Sequence, residues 1–386
     1  MPDRQPGFVQ PTALDVGPGA VQRLAAHAER LGMRRMVLLI DAALADGDVG
    51  NAVKAQIPGA SILTTPPGEP TFVSIEGVAK QLASHQANGI VAVGGGSTMD
   101  SGKLSRALLA SGAASIKALP ARIPGGNVGL VLMPTTAGTG AEVGGGSLVF
   151  DPAVNDKILV RRPGMAADLA LADGDLTLGL PASLTAYTGL DALAQAILAY
   201  VPATSDSLSG PIALAAINLI LRHLPTAVAK GRDRDARAGM MQGSVLSALA
   251  MFNAPPLYAA EHIFAEPIGA VIKVHHGHMV AAFLPGTAEF NEPVLRARYA
   301  EIARATGTVA ASASEAAASA AWVERLRRVV ADLAVPALKT VVKTWDADAL
   351  LAQCKRNEGY ATNPRPMSDA DARAIMASAY EGSFHL

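Results

Sequence analysis

A single cysteine, Cys354, is all the thiol chemistry this 386-residue chain has. That excludes an intrachain disulfide and a thiolate metal cluster. Charge of one sign is lacking too: 32 Lys and Arg face 33 Asp and Glu, a formal net charge of -1. That balance gives no electrostatic argument for nucleic acid or an anionic membrane surface as a partner. No run of about 18 apolar residues is free of charge and breakers, so no membrane span is expected. Met1-Pro2-Asp3-Arg4-Gln5-Pro6 lacks the basic-then-apolar order of a signal peptide. No internal repeat is visible. A globular chain with two domains, expected in the cytoplasm, is what these features leave.

The first half alternates in type. Val21, Leu24, Ala25, Ala28 and Leu31 recur at helical spacing. Three short apolar runs follow, Met36–Ile40, Ile90–Val93 and Leu130–Met133, each suited to a buried strand. Helical stretches at Ser74–Ala87 and Ser101–Ala110 lie between them. Strands alternating with helices predict an α/β domain built on a doubly wound parallel sheet, here 1–180. From Pro181 the pattern changes to helices rich in Ala and Leu, at Ser183–Ala199, Ile212–Leu224, Ala236–Met251 and Ser314–Leu333. These predict an all-α domain over 181–386. The Ala/Ser-rich stretch Ala310–Ala321 fits helical patterning too.

Each of the three runs ends in residues suited to a ligand, and open α/β sheets bind ligands at the carboxyl ends of their strands. Gly94-Gly95-Gly96-Ser97 lets a diphosphate approach the backbone ahead of a helix N-terminus. A tight strand-to-helix turn would use the same glycines, and the spacing is not G-x-G-x-x-G. Asp41 can accept both ribose hydroxyls of NAD and would repel a 2'-phosphate; a turn Asp is the alternative. Thr135, Thr136 and Thr139, with Gly138 and Gly140, form a loop able to donate to phosphate or nicotinamide, or an ordinary polar loop.

The titratable cluster lies in the second half. His262, His275, His276 and His278 are four of the eight histidines. Asp191 and Gln195 are four apart on one expected helix, and so are His262 and Glu266 on another. Such pairs share a helix face. A carboxylate with imidazoles from separate segments suits Fe(II) or Zn(II), although a histidine-rich surface loop would look similar.

At this point the residues resemble a family. Gly94-Gly95-Gly96-Ser97-Thr98-Met99-Asp100-Ser101-Gly102-Lys103 is similar to the GGGS-x-x-D-x-x-K signature of the iron-containing (group III) alcohol dehydrogenases. Residues Pro134-Thr135-Thr136-Ala137-Gly138-Thr139-Gly140-Ala141-Glu142-Val143 resemble its PTTAGTGSEV loop. Thr188-Gly189-Leu190-Asp191-Ala192-Leu193, His276-Gly277 and Asn363-Pro364-Arg365 match further motifs in order. The likeness spans about residue 8 to 383.

The resemblance implies the dehydroquinate-synthase-like architecture of that family, an NAD(P)-binding α/β domain followed by a helical metal domain. It places the adenosine ribose on Asp41 and the diphosphate on Gly95, Gly96, Ser97 and Asp100. It places phosphate or nicotinamide on Thr135, Thr136 and Thr139, and the nicotinamide ribose near Lys157. The metal ligands would be Asp191, position 195, His262 and His276. NAD(H) is expected over NADP(H), with Fe(II) or Zn(II), a small alcohol, aldehyde or ketone as substrate, and a homodimer paired through Phe8-Val9-Gln10-Pro11-Thr12.

Three positions depart from the family. Gln195 stands where a histidine is usual and is the weaker ligand for a transition metal. Glu266 replaces another histidine associated with proton movement. Either Glu266 completes the metal site, or the metal is lost and Glu266, His275 or His278 serves as acid–base. Gly144-Gly145-Gly146-Ser147 replaces bulkier residues and predicts a looser loop. Arg161 and Arg162 offer either a contact for an anionic aldehyde or a solvated basic loop. The rival readings are a metal-independent enzyme of the maleylacetate-reductase kind, and a non-catalytic or NAD-recycling member of the fold.

Overall fold

The computed structural model describes residues 7–66, 68–126, 128–151, 156–202, 207–255 and 259–383. Met1–Pro6, on which the signal-peptide reading rests, lies outside them. The described chain runs β1 (Ala13–Val16), α1 (Leu24–Arg30), β2 (Met36–Asp41), α2 (Asp48–Lys54), β3 (Ser61–Thr65), α3 (Phe72–Ser84) and β4 (Gly89–Gly94). Next come α4 (Gly96–Ser111), β5 (Gly129–Pro134), β6 (Gly146–Asp151), β7 (Asp156–Arg161) and β8 (Leu169–Ala172). Helices α5 (Ala182–Tyr200), α6 (Ser209–Ala229), α7 (Arg234–Asn253), α8 (Ala260–Ile272), α9 (His276–Ala305), α10 (Glu315–Asp332), α11 (Ala347–Cys354) and α12 (Asp369–Glu381) follow. The chain forms two compact units, Val9–Leu180 with Arg232–Ala248, and Pro181–Gly231 with Leu249–Leu386.

The first unit holds a six-stranded parallel sheet in the order β1-β8-β5-β4-β2-β3. The three apolar runs read from the sequence are β2, β4 and β5, in its middle. Their side chains alternate between two cores. Leu38, Ile40, Val91, Val93, Val131 and Met133 meet Leu24 and Ala28 of α1 and Val53 of α2. Val37, Leu39, Ile90, Ala92, Leu130 and Leu132 meet Val78 and Leu82 of α3 and Met99 of α4. Burial on both faces is why these strands read as unbroken apolar runs. From β2 the chain steps outward to β3, then returns to β4 on the other side of β2. The carboxyl ends of β2 and β4 therefore flank the switch point of the sheet, where such folds bind ligands.

Two details differ from expectation. Phe8–Thr12 carries no strand; the edge strand is Ala13–Val16, paired with Leu169–Ala172. An antiparallel hairpin, β6 on β7, follows the glycine-rich loop and carries Lys157.

Arg232–Ala248 packs into this unit through close contacts. Ser244 Oγ donates to the Gly138 carbonyl at 3.3 Å. Gly174 lies so near α7 that a Cβ there would sit 2.7 Å from the Ala238 nitrogen. Gly140, at φ +63°, would place one 2.1 Å from the Ala248 Cβ. Both positions need glycine, Gly140 for its left-handed backbone as well.

The second unit is helical. α9 packs against α5, α8, α10 and α12. α5 is buried along nearly its whole length from Thr185 to Tyr200. α6 is long and apolar enough to cross a membrane by length and composition, a third of that window being buried; it carries Arg222 and Pro225. The expected helix over Ala310–Ala321 begins only at Glu315, because Ser314 caps it by accepting from the Ala317 N–H.

Candidate functional site

In the first unit, Asp41, the Gly94–Ser97 turn and the Thr135–Thr139 loop end the adjacent strands β2, β4 and β5. The two loops are joined: the Thr135 N–H donates to the Gly94 carbonyl at 3.0 Å. A Cβ on Gly94 would meet Thr98 Oγ1 at 2.6 Å, and one on Gly96 would meet Thr139 Oγ1 at 3.0 Å. Packing therefore accounts for both glycines. Gly95 differs. Its φ of -76° suits any L-residue, and a Cβ there would touch nothing nearer than Thr136 at 3.8 Å. Neither backbone nor neighbours require glycine at 95, whereas a phosphate approaching the helix N-terminus would. Ser97 is exposed in the first turn of α4. Asp41 is partly buried, and its Oδ1 accepts from the Ala43 N–H at 2.9 Å, the turn role weighed from sequence.

Asp100 is committed elsewhere. Its Oδ1 lies 2.8 Å from Lys103 Nζ and its Oδ2 accepts from the Leu148 N–H at 2.9 Å. The carboxylate thus ties α4 to β6. Lys103 is fully buried. Its ammonium donates to the carbonyls of Ala141 (2.8 Å), Gly144 (3.4 Å) and Gly146. The three-glycine loop is therefore held from within, against the looseness expected of it. Glu142, 1% exposed beside this ammonium, has its carboxyl pushed by burial up to about 7, with Lys103 opposing the shift. Lys157 of β7 forms an ion pair with Glu69. Arg161 is exposed, and Arg162 donates to its carbonyl at 2.9 Å, so neither singles out an anionic substrate.

The second unit gathers Asp191 of α5, His262 of α8 and His276 of α9. One donor atom from each lies within 4.8 Å of the others. His262 Nε2 is 3.3 Å and His276 Nε2 3.7 Å from Asp191 Oδ1. Gln195, one turn beyond Asp191, donates to the Asp191 carboxylate. The buried Asp191 Oδ1 and Gln195 Oε1 lack hydrogen-bond donors. Two oxygens and two imidazole nitrogens, with oxygens unsatisfied, fit a divalent cation. Burial disfavours both charged forms. Even so, the Asp191 and Glu261 carboxylates hold His262 up at about 10, and the imidazoles hold Asp191 below its usual range. The imidazolium is thus the metal-free counter-ion of Asp191.

Glu266 is partly buried one turn beyond His262 and is not a member of this cluster, so the side-chain position shown does not make it the replacement ligand. His275 caps α9, its Nδ1 accepting from the Gly277 N–H at 3.2 Å. His278 stacks on Tyr187 with ring centroids 4.6 Å apart, and its Nε2 donates to the Pro336 carbonyl at 2.7 Å. Burial lowers its pKa, with the Pro336 hydrogen bond opposing the shift.

Glu261 escaped the sequence reading, and Asn363 entered it only as part of a motif, with no role. Glu261 is 3% exposed, with Oε1 3.7 Å from His262 Nδ1. Apart from its place directly before His262, the sequence carried no signal for it. Asn363, in the Asn-Pro-Arg motif, accepts at 3.0 Å from the Ala260 N–H, satisfying the first turn of the helix that carries His262. Asn291 and Asn363 also exchange reciprocal amide bonds of 3.0 and 2.8 Å.

Residues 11–174 match the sequence profile of iron-containing alcohol dehydrogenase, and 185–380 that of the Fe-containing alcohol dehydrogenase family, C-terminal. Long-chain-alcohol dehydrogenase 1 of Geobacillus thermodenitrificans is 33% identical over 97% of this chain and 97% of its own. The probable alcohol dehydrogenase EutG of Escherichia coli is 30% identical over 78% of this chain and 77% of its own. The solved structure of a 1,3-propanediol oxidoreductase superposes with a TM-score of 0.87 at 25% identity, covering 97% of this chain and 100% of its own. With glycine turn, Asp–His–His cluster and both profiles on one chain, the protein belongs to the iron-containing alcohol dehydrogenases, enzymes of nicotinamide-linked alcohol and aldehyde interconversion.

Proposed function

We propose that the chain is an NAD(H)-dependent dehydrogenase interconverting a small alcohol and its aldehyde or ketone at a divalent metal, Fe(II) or Zn(II), held by Asp191, Gln195, His262 and His276. The convergence of buried Asp191 and His262 with partly buried His276, beside the partnerless Gln195 Oε1, carries this reading. A cation held there would polarise the substrate oxygen as a Lewis acid. NAD(H) would supply or take the hydride. Gly95, Gly96 and Ser97 would receive its diphosphate, with Thr135, Thr136 and Thr139 beside them. Asp41 favours NAD(H), because a carboxylate at the end of β2 repels a 2'-phosphate. Lys157 would stand near the nicotinamide ribose.

Glu266, partly buried and one turn from His262, is the carboxyl we assign to carry a proton to and from the substrate oxygen. A homodimer built at the β1 edge and a reducing cytoplasm, suited to the one buried Cys354, complete the reading.

The test is elemental analysis of protein purified without chelator, beside an NAD-coupled panel of alcohols and aldehydes. We expect near-stoichiometric iron or zinc, and activity lost on chelation and restored by metal. Full activity without metal would overturn the metal assignment; metal-replete protein inactive on the whole panel would overturn the substrate class. Asp41→Gly should improve NADP(H) use relative to NAD(H), and an unchanged ratio would overturn the NAD preference.

A further inference from the structure

We propose that Glu261 is a positioning residue of the metal centre, holding the His262 ring by Nδ1 and supplying the second buried negative charge around the cation. The inference rests on the metal site proposed above and adds a residue to it.

Three observations carry it. First, His262 stands between two buried carboxylates: Nε2 is 3.3 Å from Asp191 Oδ1 and Nδ1 is 3.7 Å from Glu261 Oε1. The two ring nitrogens point apart, so Glu261 cannot share a cation with Nε2. Its place is behind the ligand, where a carboxylate fixes the Nδ1–H tautomer and makes Nε2 the better donor.

Second, both partners are unsatisfied. His262 Nδ1 and Glu261 Oε2 are buried without hydrogen-bond partners. At 3.7 Å the pair falls short of a hydrogen bond, which needs about 2.7–3.2 Å. A cation on Nε2 leaves Nδ1 as the only ring position for the proton, and a small side-chain rotation closes the gap. Glu261 and Thr287 both line a cavity of about 20 Å³, and Thr287 Oγ1 is likewise without a partner. The space is large enough for one water.

Third, the charges balance. Among the described residues the ion-pair partner of Glu261 is His262. Gln195 is neutral, and so is each imidazole as a ligand. A divalent cation with Asp191 alone would leave a buried centre at +1, and Glu261 brings it to zero.

The experiment compares the full chain with Glu261→Gln, Glu261→Asp and His262→Ala. It measures Zn(II) affinity by chelator competition, the Co(II) absorption spectrum, and unfolding of the metal-free proteins. Glu261→Gln should bind Zn(II) about 10–100-fold more weakly, the range for loss of such an outer partner. It should also shift the Co(II) bands while metal-free stability is unchanged or higher. Glu261→Asp, which keeps the charge but withdraws it, should fall between, and it decides the matter if the Gln variant does not fold. Wild-type affinity and spectrum in the folded Glu261 variants, with metal lost only in His262→Ala, would overturn the role of Glu261 and leave the metal site standing. A wild-type protein that binds neither ion would overturn both.

Discussion

Gln195 donates to the Asp191 carboxylate one turn behind it on α5 and leaves its own Oε1 buried without a partner. The amide thus serves Asp191 with one end and can serve a cation with the other. An imidazole in its place would be a better ligand for a borderline metal. Gln195→His should therefore tighten Zn(II) binding tenfold or more, ~1.4 kcal/mol. Chelator competition would measure it, and weaker binding would show that Gln195 is not part of the ligand set.

Gly95→Ala should fold as the parent does, since the added methyl meets nothing nearer than 3.8 Å. It should weaken dinucleotide binding by about tenfold or more, ~1.4 kcal/mol. Fluorescence titration with NADH beside a melting curve separates the two effects. Unaltered NADH affinity would place the diphosphate elsewhere.

Asn363→Ala strands the buried Ala260 N–H and the amide of Asn291. Such orphaned groups cost about 1–3 kcal/mol each. Denaturant unfolding should show this loss, and metal affinity should fall with it, because the start of α8 positions His262. Parental stability would mean that water replaces the Asn363 contacts.

Glu142 gives a pH dependence with a definite sign. Its folded pKa of about 7 lies above the 4.5 of an unperturbed carboxyl. The folded state therefore holds the proton more tightly than the unfolded chain. Stability falls as pH rises from about 4.5 to about 7, then levels off. Glu142→Gln removes that penalty, on the order of 3 kcal/mol at most. The variant should gain on the parent between pH 5 and 8 in chemical denaturation; a gap that does not widen would refute the buried-acid account.

The sheet was legible where burial is two-sided. Met36–Ile40, Ile90–Val93 and Leu130–Met133 stand out because both faces of β2, β4 and β5 meet helices. Ala13–Val16 and Ser61–Thr65 are edges whose runs are broken by Asp15 and by Thr64 and Thr65, while Leu169–Ala172 is apolar throughout but built of Leu and Ala, which carry little strand preference. In the metal cluster, Asp191 and Gln195 were legible as an i, i+4 pair on one helix face. Glu261 was not, because neighbouring helix residues point about 100° apart and the helical period sorts it away from His262. Only its reach around the ring brings it back. Glu266 shows the reverse: the period groups it with His262, and the side chain lies outside the cluster.

Lys103 has one more implication. A potassium ion caged by carbonyl oxygens orders many loops, and it can be diluted away or exchanged. Here the caged cation is tethered to α4 by its own side chain, so the loop after Ala141 owes its order to no dissolved ion. Desalting, chelators and changes of buffer cation should leave that loop untouched, and a response of the protein to chelation then reports on the proposed site of Asp191, Gln195, His262 and His276.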